Sequence, residues 1–265
     1  EKRLNQNEKD EEYKCFIVMR CWHPRAEEVI ENIKLYNPDE IILMPLYPQY
    51  SAATSGSSIK EWNDICKKNN YKIKTSTICC YPTDENFINA HTKEINKKIK
   101  DLKNFKLIFS AHGLPEKNIK KGDPYQWQVE QSVNKIIENL NYHNLDWILS
   151  YQSRVGPLKW IGPSTDNTII ENSKIGKHIV LVPIAFVSEH SETLVELDIE
   201  YKKLAMDNGC KQYTRIPALG TNEDFIKSMS ELIIKKDEYK FNDYLYPPKI
   251  KCPSHLKKCP CLNYE

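Results

Sequence analysis

Short apolar runs and amphipathic stretches alternate along most of the chain. The runs at 16–19, 40–44, 73–78, 106–109, 147–149 and 178–183 are rich in β-branched or bulky apolar side chains and bounded by polar or turn residues, the pattern of strands. Between them, 26–36, 58–68, 85–102, 127–140, 165–173 and 223–235 repeat apolar positions every three or four residues, which predicts helices with one face on a sheet. A long helix is expected from about Ser188 and a short strand at 215–217. Strand, helix and strand joined by short connections imply parallel sheets flanked by helices, an α/β class. A polar link at 102–105 divides two units, 1–104 and 105–240, and 241–265 reads as an irregular arm rich in Pro, Lys and Cys.

Composition narrows the partners. Lys and Arg number 38 against 36 Asp and Glu, a formal charge of +2, so no sequence-wide field draws the chain to nucleic acid. No apolar run approaches the ~20 residues that span a bilayer, and the polar first residues look unlike a presequence. Nine cysteines, an odd number without small-scaffold spacing, argue against a disulfide framework and for a reducing compartment.

In open parallel sheets ligands bind beyond the carboxyl ends of strands, so polar groups there are the candidates. His112 stands where the run 107–109 gives way to Ser110-Ala111-His112-Gly113-Leu114-Pro115. Alone, a histidine there is more often a loop residue or a satisfied polar group than a catalyst. Gly122-Asp123-Pro124-Tyr125 reads as a turn, and Tyr151-Gln152-Ser153-Arg154 with Trp160 puts an anion-gripping and a stacking side chain at another strand exit. Tyr47-Pro48-Gln49-Tyr50-Ser51 leads into a hydroxyl-rich helix start.

The richest stretch follows 178–183: Phe186, Glu189 and His190, then Glu192, Glu196 and Glu200 at four-residue spacing, with Leu194, Leu197, Tyr201 and Leu204 as the expected buried stripe. A row of carboxylates is either a solvated helix face or a set of oxygen ligands and proton carriers for a divalent cation. The neighbouring histidine and aromatic favour the second reading.

Taken in order, Phe109-Ser110-Ala111-His112, Gly122-Asp123-Pro124-Tyr125, Gln152-Ser153-Arg154-Val155-Gly156-Pro157 with Trp160, Tyr47 to Ser51, and Val182-Pro183-Ile184-Ala185-Phe186 leading to Glu192-Thr193-Leu194 and Glu196 to Tyr201 resemble the ferrochelatase family, over roughly 16–235. The resemblance implies two Rossmann-like chelatase units, the first incomplete at its N-terminus, and insertion of ferrous iron into protoporphyrin IX to form haem. Coproporphyrin or another tetrapyrrole as substrate, or porphyrin and metal binding without turnover, are the alternatives.

It further implies His112 and Glu192 as catalytic residues; His112, Glu192, Glu196 and Glu200 as metal ligands, in a helix widened toward π geometry; and Arg20, Tyr47, Ser51, Trp160, Phe186, Glu189 and His190 as substrate contacts. Ferrous iron and porphyrin enter as substrates. Cys21 stands where many relatives carry Tyr, and Glu189 where many carry Asp. The family's opening strand and apolar lip would precede Glu1, and peripheral membrane association would run through that part. A eukaryote-like setting would place the protein at the matrix face of the mitochondrial inner membrane, and otherwise in the cytoplasm. Many relatives hold a two-iron two-sulfur cluster using one cysteine just after the Tyr-Pro-Gln-Tyr-Ser motif. Here that position is Ala52, and Cys252, Cys259 and Cys261 have unfamiliar spacing and no evident fourth partner, which argues against a cluster or a zinc knuckle.

Overall fold

The computed structural model describes residues 1–6, 11–238, 240–241, 244–245 and 251–262. In chain order the main elements are α1 (Ala26–Tyr36), β1 (Glu40–Leu43), α2 (Ser55–Lys68), β2 (Lys74–Ile78), α3 (Glu85–Ile99), β3 (Phe105–His112), α4 (Glu116–Lys120), α5 (Tyr125–Leu140), β4 (Trp147–Gln152), α6 (Thr165–Lys174) and β5 (His178–Pro183). A π-helical segment (Glu192–Glu200) then runs into α7 (Tyr201–Asp207), followed by β6 (Tyr213–Arg215), α8 (Glu223–Ile234), β7 (Lys240–Phe241) and β8 (Tyr244–Leu245). Helix starts follow capping chemistry: Asp84 accepts from the Phe87 amide, Ser164 from Asn167, and Asn222 from Asp224 and Phe225.

Two sheets result, in the orders β1-β2-β8-β7 and β4-β3-β5-β6. The second is parallel throughout, and all six residues of its central β5 are buried, as expected for a strand covered on both faces. Leu107 and Phe109 of β3, Val180 and Val182 of β5, and the apolar faces of α3, α5 and α8 share one core. Ile78, Tyr81 and Phe87, which precede the link at 102–105, lie in that same core, so the link is a chain crossing and not a gap in packing.

Strand order positions the site. From β3 the chain passes through α4 and α5 to β4 on one side, whereas from β5 it passes through the π segment and α7 to β6 on the other. Between β3 and β5 the connections diverge, which opens a crevice at their carboxyl ends, the switch point where open α/β sheets bind ligands. His112 ends β3 at this point, and Glu192 follows β5.

Several expectations need correction. Residues 16–19 form no strand, with Ile17 71% exposed, because no strand lies alongside to complete a ladder among the described residues. β3 and β4 run three residues further than their apolar runs, since Ser110 donates to Gln152 and both Ser110 and Ser150 bond Thr165, so that these polar side chains are satisfied inside the sheet. His112 is therefore a strand residue, paired with Gln152, and not a turn residue. The helix expected from Ser188 starts at Glu192; it is π-helical for nine residues, as the resemblance implies, and Leu194 lies outside its expected stripe at 48% exposure while Leu197 and Tyr201 stay buried. The strand expected at 215–217 lies at Tyr213–Arg215. The arm is not merely irregular. β8 lies parallel to β2, and Cys252, Leu256 and Cys259 are buried against Tyr50, Ile59, Cys79 and Cys80.

Candidate active site

His112 and Glu192 face each other across the switch point, with His112 Nε2 3.6 Å from Glu192 Oε2. The imidazole Nδ1 lies 2.7 Å from the carbonyl oxygen of Gly113, which can only accept. Nδ1 therefore donates to this carbonyl, which leaves Nε2 as the ring nitrogen that faces the crevice. The strand end is fixed from behind by the buried Tyr125, whose hydroxyl donates to the His112 carbonyl at 3.1 Å. Gly113 lets the 153–160 loop close over this end, for a Cβ there would sit 2.8 Å from the Gln152 carbonyl and 3.2 Å from the Trp160 ring. Opposite, Glu192 Oε2 is out of solvent and has no hydrogen-bond partner. A carboxylate oxygen so placed is costly unless a cation or proton arrives to meet it.

The other carboxylates are used differently. Glu196 accepts from Gln152 Nε2 (3.0 Å), the Ser153 amide (2.9 Å), Ser153 Oγ (2.6 Å) and the Tyr201 hydroxyl (2.9 Å). Four donors occupy its two oxygens and hold Ser153 in the left-handed region at φ 54°. Glu196 is thus an anchor of the π segment to the end of β4, and its charge is already compensated. Glu200 is exposed. The expected row of three metal-binding carboxylates is not assembled: in the wider helix only Glu192 is left with a free oxygen toward His112. Glu189 accepts from Arg215 and from the Ala218 amide; burial would raise its pKa, but these bonds and one from Thr193 hold it below the ordinary carboxylate range.

The expected substrate contacts divide. Phe186 lies in the crevice, its ring 6.4 Å from that of His112 and 4.6 Å from that of His190. His190 Nδ1 accepts from the Glu192 amide at 3.2 Å, which leaves its Nε2 protonated. Trp160 is half-buried with its indole N–H unpartnered. Tyr47 follows the end of β1, and burial, then its neighbours Cys21 and Glu192, raise its hydroxyl pKa. Ser51 and Arg20 do not point freely at a ligand. The buried Ser51 donates to Asp123, itself 1% exposed and also bonded to the Ala52 and Tyr125 amides. Arg20 faces Glu61 of α2 at 3.6 Å. Sequence reasoning gave no role to Gln152 or Arg215, which brace the π segment from other elements. The signal for Gln152 was a polar side chain at the end of a buried strand.

A second cluster lies behind the end of β2. The Sγ atoms of Cys79, Cys259 and Cys261 all lie within 4.8 Å of one another, and Cys80 and Cys252 are buried in the same group. Gln128 Nε2 reaches the sulfurs of Cys80 and Cys252, each at 3.3 Å. Hydrogen bonds from Cys259 and Cys79 lower the pKa of Cys261, whereas burial raises that of Cys79, so one thiolate is favoured among the three. Cys79, read from the sequence only as the end of a strand, is carried to Cys259 and Cys261 by the pairing of β8 with β2.

Among the described residues no helix is long and apolar enough to cross a membrane. The ferrochelatase family model matches residues 1–237. A ferrochelatase of Pelagibacter ubique is 83% identical over all 265 residues, which span 77% of that protein, and one of Rickettsia typhi is 50% identical over 95% of this chain and 72% of its own length. These relatives are bacterial and give the mitochondrial setting no support. Among solved structures, SirB from Bacillus subtilis with Fe3+ matches with a TM-score of 0.61 over 84% of this chain and 82% of that one, and at 14% identity the likeness shows the fold alone. With a family match across nearly nine-tenths of its length and a relative at such identity, this chain belongs to the ferrochelatase family.

Proposed function

We propose that the chain inserts ferrous iron into protoporphyrin IX to form haem, with His112 accepting the pyrrole protons and Glu192 opposite it. The observation that carries this reading is Glu192 Oε2, out of solvent and without a hydrogen-bond partner, set 3.6 Å from His112 Nε2 across the crevice. Insertion replaces two N–H protons by one Fe2+ ion and returns both protons to solvent. Nε2 takes a proton from a pyrrole nitrogen, and the imidazolium so formed lies beside the Glu192 carboxylate, which lowers the cost of charge developing away from bulk water. The Nδ1 bond to the Gly113 carbonyl holds the ring in the orientation that this transfer needs. Phe186 and Trp160 supply apolar surface for a flat macrocycle, and Tyr47 closes the side contributed by the first sheet.

The test is anaerobic insertion of ferrous iron by the intact protein, followed as loss of porphyrin fluorescence, with protoporphyrin and coproporphyrin compared at equal concentration. Turnover with a higher kcat/KM for protoporphyrin supports the reading. Retained porphyrin binding without metallation of either substrate overturns it.

The sulfur cluster supports a second assignment, a resident thiolate-bound metal group. Cys79, Cys259 and Cys261 would supply three ligands, and Cys80 or Cys252 a fourth, a donor set that suits zinc or an iron–sulfur centre. Such a group would tie the C-terminal arm to β2, a structural contribution; the Gln128 amide would donate to its sulfurs. Metal analysis with visible absorption of anaerobically purified protein tests this. Stoichiometric zinc or iron lost on Cys259→Ser supports it, and metal-free protein of unchanged stability contradicts it.

A further inference from the structure

The π segment is braced on the side away from His112 by one short strand. From β6, Arg215 makes two bonds to Asp198, Nε to Oδ1 at 2.5 Å and Nη2 to Oδ2 at 2.8 Å, while its Nη1 reaches Glu189 Oε1 at 2.8 Å and the Ile216 carbonyl at 3.3 Å. Tyr213 of the same strand donates to the Leu197 carbonyl at 2.7 Å. The Arg215 side chain is only 10% exposed, so these are not loose surface pairs. Glu189 lies three residues before Glu192 and Asp198 six after it, so a single guanidinium pins the chain on both sides of the crevice carboxylate. The planar fork matters: a carboxylate taken bidentately and a second one at the far nitrogen is a pattern that an ammonium cannot reproduce. A π helix is an uncommon backbone state that needs such external support.

We propose that Arg215 is a positioning residue for metal insertion, a two-sided clamp that sets where the π segment places Glu192 against His112. Arg215 touches neither substrate nor reacting atoms in this account, which rests on the reading of His112 and Glu192 as the working pair. Without the clamp Glu192 keeps its charge but loses its place. Porphyrin binding, which draws on Phe186, Trp160 and Tyr47, is unaffected, whereas insertion slows.

The decisive comparison is Arg215→Lys against wild type in the intact protein, measuring porphyrin affinity by fluorescence titration, and kcat and KM for ferrous iron. The expected result is a kcat lower by roughly 10–100-fold, the scale of an ångström-level misplacement, with porphyrin affinity within about twofold of wild type. Asp198→Asn and Glu189→Gln, which keep side-chain shape, should each lower kcat by less, and adding either to Arg215→Lys should have little further effect, because the three groups act as one unit. A folded Arg215→Lys protein with wild-type kcat overturns the proposal, as does a loss of kcat matched by an equal loss of porphyrin affinity. If Arg215→Lys does not fold, the Glu189→Gln/Asp198→Asn pair carries the same test: wild-type kcat in that protein overturns the clamp. Failure of the wild type to insert iron would instead sink the functional reading on which the clamp depends.

Discussion

Two places in this molecule gather metal-binding side chains, and they are built in opposite ways. At the switch point the donors are one imidazole nitrogen and one carboxylate oxygen, on side chains that are 43% and 41% exposed, 3.6 Å apart and short of partners. Behind β2 the donors are sulfurs, almost all buried, with Gln128 against them and the C-terminal arm closed over them. A metal that must arrive, lose its water and leave in a product needs few, hard or borderline ligands and an open approach. A resident metal needs a closed set of soft ones. The contrast supports the two proposed roles, transit for the crevice and structure for the sulfur cluster, and each can be perturbed without the other.

The sharpest break in that contrast is Glu192→Gln, which removes the charge facing His112. Its kcat should fall by about 10²–10³-fold, the range of a lost acid–base partner, while the metal content of the sulfur cluster stays unchanged. The reciprocal change, Cys259→Ser, should abolish the metal binding proposed for the sulfur cluster and lower Tm by roughly 5–10 °C, read by calorimetry, with His112 and Glu192 untouched. Glu196→Gln comes next. It keeps the shape but weakens four donors' hold on the π segment, and should cost about 1–3 kcal/mol of stability in urea titrations, with kcat falling much less than for Glu192→Gln. Equal effects at Glu192 and Glu196 would mean that both carboxylates serve the metal, against the division drawn here.

The smallest effect lies outside both sites. His91 is fully buried on α3 with neither ring nitrogen bonded, and burial pushes its pKa down from 6.5 to about 3. The unfolded chain therefore takes up a proton first as pH falls. Stability is whole above pH 6.5 and declines by up to about 1.4 kcal/mol per unit between 6.5 and 3. His91→Leu should remove that slope between pH 7.5 and 5.5 and leave both metal-binding regions intact. An unchanged slope would place the acid sensitivity elsewhere.

How far the sequence foretold each region follows from the range of the interactions. Helices α1, α3 and α8 and strand β5 were legible because their periodicity is local and their packing agrees with it. His112 and Glu192 were reachable through ordered motifs at strand exits. The different fates of Glu192, Glu196 and Glu200 were not, for they depend on π geometry and on donors from β4 and α7, which no four-residue spacing encodes. Ser51 looked like a ligand group because exposed hydroxyls and hydroxyls bonded to a buried Asp123 read alike in sequence. The sulfur cluster was hidden for a similar reason: Cys79 and Cys259 are brought together by two-residue strands that leave no periodic trace.

The proposed chemistry stands most directly on His112 as the proton acceptor. In His112→Ala, porphyrin binding should remain within about threefold of wild type, while anaerobic single-turnover insertion of ferrous iron slows by at least roughly 100-fold. Insertion at a near-wild-type rate in that protein would contradict the assignment of His112 as the group that takes the pyrrole protons.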